Sequence, residues 1–152
     1  MQDRIEKAIE LNAPVERVWK ALTDHEAFGE WFKVRLDGPF VVGKRSTGQM
    51  TYPGFEHLPW EAEVVAMDEP TYFAFRWPPY YHELEVDSSK DPWTLVEFRL
   101  QRAGQGTRLS LVESGFAALP ADRGPLAFRS NEGGWAEQMN NIKAYAERAS
   151  RS

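Results

Sequence analysis

One apolar seam near the C-terminus restricts the fold more than any other feature of the sequence. From Asn131 to about Arg148 the chain has helical periodicity, with Trp135, Met139, Ile142, Ala146 and Ala149 recurring at spacings of 4, 3, 4 and 3. A helix with a single apolar stripe draws most of its stability from burying that stripe, so it needs a broad surface to lie on. The preceding sequence offers one. Between Val34 and Gly115 the segments VRLDGPFVVG, RSTGQMTY, LPWEAEVVAM, TYFAFRW, WTLVEFRLQ and TRLSLVES read as strands, separated by the turn signals DGP, PGF, DEP and AGQG. The last of these predicts a tight hairpin between Leu100 and Leu109, and the whole run predicts an antiparallel meander. Two strands show their inward face plainly: Phe73, Phe75 and Trp77 share one parity, as do Val96, Phe98 and Leu100.

The N-terminal region completes the order. RIEKAIEL, with Ile5 and Ile9 in register, predicts a strand. The period then changes in NAPVERVWKALTDHEAFGEWF. Pro14 suits a first helical position, and Val15, Val18, Trp19 and Leu22 form an apolar stripe. Thr23 and Asp24 offer a stop and a fresh N-cap for a second short helix ending near Gly29. A strand, two short helices, a run of antiparallel strands and one long helix make a two-layer α+β arrangement. A twisted sheet wrapped around one long helix leaves a wedge-shaped cavity between them.

Composition narrows the possible functions. With 152 residues, no internal repeat and no linker, residues 1–152 are expected to form one domain. The net charge is -5 and no Lys/Arg run appears, which argues against a nucleic-acid partner. The absence of cysteine removes disulfides, thiolate nucleophiles and iron–sulfur ligands. No apolar run is long enough for a membrane span and the N-terminus does not read as a signal peptide, so a cytoplasmic location is expected. His25, His57 and His82 stand apart, with no metal-ligand spacing, and no Walker loop, nucleophile elbow or dinucleotide fingerprint is present. Neither a metal nor another cofactor is expected.

Several segments are similar to a known superfamily. The run through Ala13, Pro14, Val18, Trp19, Ala21, Leu22, Thr23, Asp24 and Trp31 resembles the opening signature of the START-like (SRPBCC, Bet v 1-like helix-grip) superfamily. VVAMDEPTYFAFRW, GTRLSLVESGF and GGWAEQMNNIKAYAE resemble strands and the final helix of its group related to the activator of the heat-shock protein 90 ATPase. The resemblance implies a helix-grip fold, a curved antiparallel sheet around a long C-terminal helix. It also implies one of several roles: carrier of lipids or other hydrophobic ligands, polyketide cyclase, dehydratase, hormone receptor or co-chaperone. At 152 residues the chain is not expected to carry the additional N-terminal domain of the eukaryotic chaperone activators.

Two groups of residues are the candidates for a site. The aromatic residues Trp31, Phe32, Phe40, Tyr52, Phe55, Phe75, Trp77, Phe98 and Trp135 exceed what a two-layer core requires, so each serves either as core or as cavity wall. Met50 and Met139 would add adaptable walls. Glu113 is the informative polar residue, because it shares its strand parity with Thr107, Leu109 and Leu111. A carboxylate on that face is a structural ion pair, a solvated strand end, a ligand anchor or a general acid or base. For acid–base work, Tyr52, His57, Tyr80, Tyr81 and His82 are the available partners. Gly133 and Gly134 either fray the first helical turn or let the helix approach the sheet or a ligand closely. The acidic segment from Pro78 to Pro92 is a solvated loop or a lid.

The expected function is binding of a small hydrophobic molecule, lipid- or polyketide-like, between sheet and helix. Trp31, Phe32, Phe40, Met50, Tyr52, Phe75, Trp77, Phe98, Trp135 and Met139 would be its walls and Glu113 its anchor. A cyclase or dehydratase using Glu113, and a co-chaperone-like interaction domain with a chaperone partner, are the alternatives.

Overall fold

The computed structural model describes residues 3–79 and 91–149, with Ala149 described by its backbone alone. The strands are β1 (Arg4–Leu11), β2 (Val34–Leu36), β3 (Arg45–Met50), β4 (Pro59–Asp68), β5 (Tyr72–Trp77), β6 (Thr94–Ala103) and β7 (Gly106–Ser114). The helices are α1 (Val15–Thr23), α2 (His25–Phe32) and α3 (Gly124–Ala149), with a short 3₁₀ turn over Phe116–Ala118. All seven strands form one curved antiparallel sheet in the order β1-β7-β6-β5-β4-β3-β2. The meander therefore runs from β2 to β7, and β1 closes on its far edge. This is the two-layer α+β order expected from the periodicities and the helix-grip arrangement that the resemblance implies.

The inner face of the sheet follows strand parity. Phe73, Phe75, Val96, Phe98, Leu109 and Leu111 are all almost completely buried. Against them α3 lays Trp135, Met139, Ile142 and Ala146, each at most 3% exposed. Four consecutive members of the seam are thus the helix's buried stripe. The paired helices α1 and α2 add Val18, Leu22, Phe28 and Trp31 to the same core. Asp24 caps α2, its side chain accepting from the Ala27 N–H at 3.3 Å.

Element boundaries differ from the sequence reading in four places, each for a local reason. Pro14 is the N-cap of α1 and Val15 its first helical residue. The second helix does not stop near Gly29; it continues to Phe32 and ends on Lys33, which takes the left-handed conformation with φ 68°. Gly29 is inside because the chain folds back over it: a Cβ there would lie 2.3 Å from the Val34 carbonyl oxygen. Of VRLDGPFVVG only Val34–Leu36 is strand. After it the chain leaves the sheet, sending Phe40 into the core while Val41 and Val42 stay exposed.

The fourth difference bears on the site. The long helix begins at Gly124, seven residues before Asn131, so Gly-Pro at 124–125 is its first turn and not a break. Proline is tolerated there because its missing N–H would have no helical partner. Gly133 and Gly134 are consequently interior residues, not a fraying end. A Cβ on either would meet nothing within 4 Å, so the sheet does not require their smallness. Arg123, just ahead of the helix, makes a two-pronged ion pair with Asp91 at 2.8 and 3.0 Å. Among the described residues no helix is long and apolar enough to cross a membrane.

Candidate functional site: a buried carboxylate behind an aromatic cavity

Glu113 occupies the inner face near the end of β7, flanked by Ile5 of β1 and Val96 of β6. Strand alternation put it there, and nothing local could turn it outward without exposing Leu109 and Leu111. It is completely buried. Among the described residues its compensation comes from four neutral donors on three elements. Trp135 Nε1 donates to Oε1 at 2.8 Å, and Trp77 Nε1 donates to Oε2 at 2.8 Å. Thr94 Oγ1 donates to Oε2 at 2.5 Å, and Asn131 Nδ2 reaches both oxygens at 3.2 and 3.1 Å. Asn131 Nδ2 also donates to the Pro79 carbonyl at 3.3 Å, tying the end of β5 to the helix.

Burial pushes the Glu113 carboxyl above the usual carboxylate range, while the hydrogen bonds from Thr94, Trp77, Trp135 and Asn131 pull the other way. Indole N–H groups can only donate, so the hydrogen bonds favour the ionised carboxylate while burial, the larger effect, favours the protonated one. Chemically, the arrangement fixes two indoles. Trp77 and Trp135 stack with centroids 5.4 Å apart and 28° between planes, and both turn their N–H edges to the same carboxylate. None of the four donors is an acid or base near neutral pH, so Glu113 has no proton-transfer partner among them.

On the other side of these indoles lies a cavity of about 380 Å³, between the β3–β5 part of the sheet and the N-terminal half of α3. Six of the described aromatic residues line it: Phe32, Tyr52, Phe55, Trp60, Trp77 and Trp135. Met50, Pro59, Pro78, Pro79 and Gly134 add further non-polar surface, and the polar lining is Glu61, Ser130, Asn131, Glu137 and Gln138.

The candidates named from sequence therefore divide. Phe32, Met50, Tyr52, Phe55, Trp77 and Trp135 face the cavity. Trp31, Phe40, Phe75, Phe98 and Met139 are not among its lining residues. Trp31 is held between α1 and α2 by its Nε1 bond to the Ala21 carbonyl at 2.7 Å. Phe40 packs on Phe28 and Phe73, with centroids 5.3 and 5.2 Å away. Phe75 and Phe98 back the wall, lying 5.4 Å from Trp77 and 5.7 Å from Trp135 respectively. Glu113 too stands behind the wall and not in it. His57 is exposed, whereas Tyr80, Tyr81, His82 and most of the acidic loop lie outside the described residues.

Sequence reasoning missed Trp60, which lines the cavity and shares β4 parity with the buried Ala62 and Val64. That alternation was the signal that could have found it. Its buried Nε1–H has no partner among the described residues. Asn131 was also missed as a functional residue, because with the helix starting there it would have been a terminal residue. It lies four residues before Trp135 on one face of α3, and both reach Glu113.

Comparison with known proteins agrees with this architecture. No curated protein matches the sequence. Among solved structures, protein MLL2253 from Mesorhizobium loti is 21% identical with a TM-score of 0.76, covering 95% of this chain and 97% of that one. DynU16, a protein in the dynemicin biosynthetic locus, is 21% identical with a TM-score of 0.74. That match covers 97% of this chain, which spans 48% of DynU16's length. The Aha1 dimer from Colwellia psychrerythraea is 18% identical with a TM-score of 0.70, over 96% of this chain and 97% of that one. At these identities the likeness concerns the fold. The family model described as "Activator of Hsp90 ATPase homolog 1-like protein" matches residues 12–147, nearly the whole of the helix-grip unit, and the chain belongs to that family.

Proposed function

We propose that the chain binds a small, largely apolar molecule in the cavity between the sheet and the N-terminal half of α3. The observation that carries this reading is a space of about 380 Å³ walled by six of the described aromatic residues, within the size and character of small-molecule sites. In this reading Trp77 and Trp135 are principal walls. Glu113 is a positioning residue that holds both indoles in place through their N–H groups, and Phe75 and Phe98 support them from behind. One relative by fold belongs to a biosynthetic locus, which fits a scaffold that handles small molecules. Among the described residues a general acid or base role for Glu113 has no support, since its donors there are a threonine, an asparagine and two indoles. Association with a chaperone rests on the family's name alone, and ligand binding does not require it.

Native mass spectrometry of freshly purified protein, followed by titration with apolar probes read by tryptophan fluorescence, tests the reading. The expected result is either a co-purified adduct or saturable quenching that disappears in Gly134→Leu. That substitution places a side chain where a Cβ meets nothing within 4 Å, on a residue lining the cavity. Unsaturable responses across the panel, unaffected by the substitution, would count decisively against it.

A further inference from the structure

The chemical character of the cavity's polar groups goes further than its apolar walls. Almost every side-chain donor among the described lining residues is already engaged within the protein. Trp77 and Trp135 donate to Glu113, and Asn131 donates to Glu113 and the Pro79 carbonyl. Gln138 Nε2 donates to the Phe32 carbonyl at 3.1 Å, and the Tyr52 hydroxyl donates to Glu137 Oε1 at 3.2 Å. Ser130 remains, together with the enclosed N–H of Trp60.

Acceptors are in surplus. Glu61 and Glu137 both line the cavity, and among the described lining residues there is no Lys, Arg or His. Glu61 has Arg45 as a counter-charge only at 3.9 Å, and Arg45 lies outside the lining while its guanidinium sits 4.9 Å from the Trp93 ring. Glu137 is exposed, and none of the ion pairs among the described residues includes it. Aromatic faces, two carboxylates and spent donors together favour a guest that brings its own donors and positive charge, and disfavour one that brings a carboxylate.

We infer that the ligand of this cavity is an organic cation, an apolar body carrying a protonated amine that sits against the aromatic walls and is paired with Glu137. This rests on the cavity being a ligand site at all, as proposed above, and adds the class of molecule it takes. Charge complementarity selects among apolar guests of one size, so guests of equal skeleton and different head group separate the two questions.

Phenylbutylamine, phenylbutanol and phenylbutanoate share a skeleton and differ in charge at neutral pH. Titrated into the intact protein at low salt and followed by calorimetry, the amine is expected to bind about tenfold more tightly than the alcohol, with the acid weakest. Glu137→Gln should shrink the amine-to-alcohol ratio to about threefold or less, and added salt should shrink it as well. An amine no tighter than the alcohol, or an acid as tight as the amine, overturns the inference while leaving the apolar cavity standing. Failure of all three probes to bind overturns both.

Discussion

The two halves of α3 meet the same sheet in different ways. Toward the C-terminus the helix is clamped: Ile142 and Ala146 are at most 1% exposed, Lys143 Nζ reaches the Glu10 carbonyl at 2.9 Å, and Glu147 accepts from the Asn12 N–H at 2.8 Å. Toward the N-terminus, Asn131 and Trp135 reach back to Glu113, while Gly134 and Gln138 border open space. Closure at one end comes from small and medium apolar side chains that let backbone and sheet approach. At the other end the indoles are held upright by a carboxylate beneath them, and the wedge between sheet and helix is left unfilled. A buried polar residue here serves to keep a cavity's walls in position.

Removing that carboxylate should give the largest effect. Glu113→Ala leaves two indole N–H groups, the Asn131 amide and the Thr94 hydroxyl without their acceptor, a predicted loss of about 3–5 kcal/mol in chemical denaturation. A loss below about 1 kcal/mol would mean that the network contributes little and that the comparison of the two ends misplaces the strong contact. The same residue has a pH signature. Burial raises its folded pKa, so the native state holds this proton more tightly than the unfolded chain does. Its contribution is complete below the unfolded value and is lost as pH rises through the folded one. Subtracting the stability profile of Glu113→Gln from that of the wild type should expose this decline; a difference that does not vary with pH would contradict it.

The closed end should respond differently. Ile142→Ala is expected to cost about 2–4 kcal/mol by leaving a hole in a close-packed region, yet to keep probe binding intact. If binding falls in step with stability, the two ends are not separable. Gly134 offers the opposite behaviour. Replacing it with Ala should stabilise the helix interior by about 0.5–1 kcal/mol, because the added Cβ meets no neighbour. Gly134→Leu should remove binding without unfolding the protein. A destabilised Gly134→Ala in thermal melts would show that the backbone there needs glycine for another reason.

The smallest change belongs to the surface. Arg102 pairs with Glu16 at 2.5 Å, but both side chains are more than half exposed. Arg102→Ala should leave the denaturation midpoint where it is, since water and ions already screen such pairs. A clear shift there would mean that an exposed pair holds α1 to β6, and the ranking of contacts would need revision.

Much of the architecture was legible in the residues. The seam of α3 and the alternation of Phe73, Phe75, Val96, Phe98, Leu109 and Leu111 named the inner surfaces, because periodicity reports which side of an element meets water. The same alternation put Glu113 inside. What misled was local punctuation. The helix expected from Asn131 begins at Gly124, with Gly124 and Pro125 in its first turn, and Gly29 resembled a stop and is a contact point for the returning chain.

Pattern alone could not sort the aromatics into core and wall. Trp31 and Trp135 look alike as apolar positions on helices, yet one donates to the Ala21 carbonyl inside a helix pair and the other to Glu113 at a cavity wall. That distinction depends on which distant strand ends arrive opposite each ring. The sequence by itself determined that an antiparallel sheet would grip one long helix with an acid on the inner face. Only the tertiary structure decided that Trp77, Thr94, Asn131 and Trp135, far apart along the chain, converge on that acid and leave space beyond it, because convergence depends on sheet register and helix placement and not on local period.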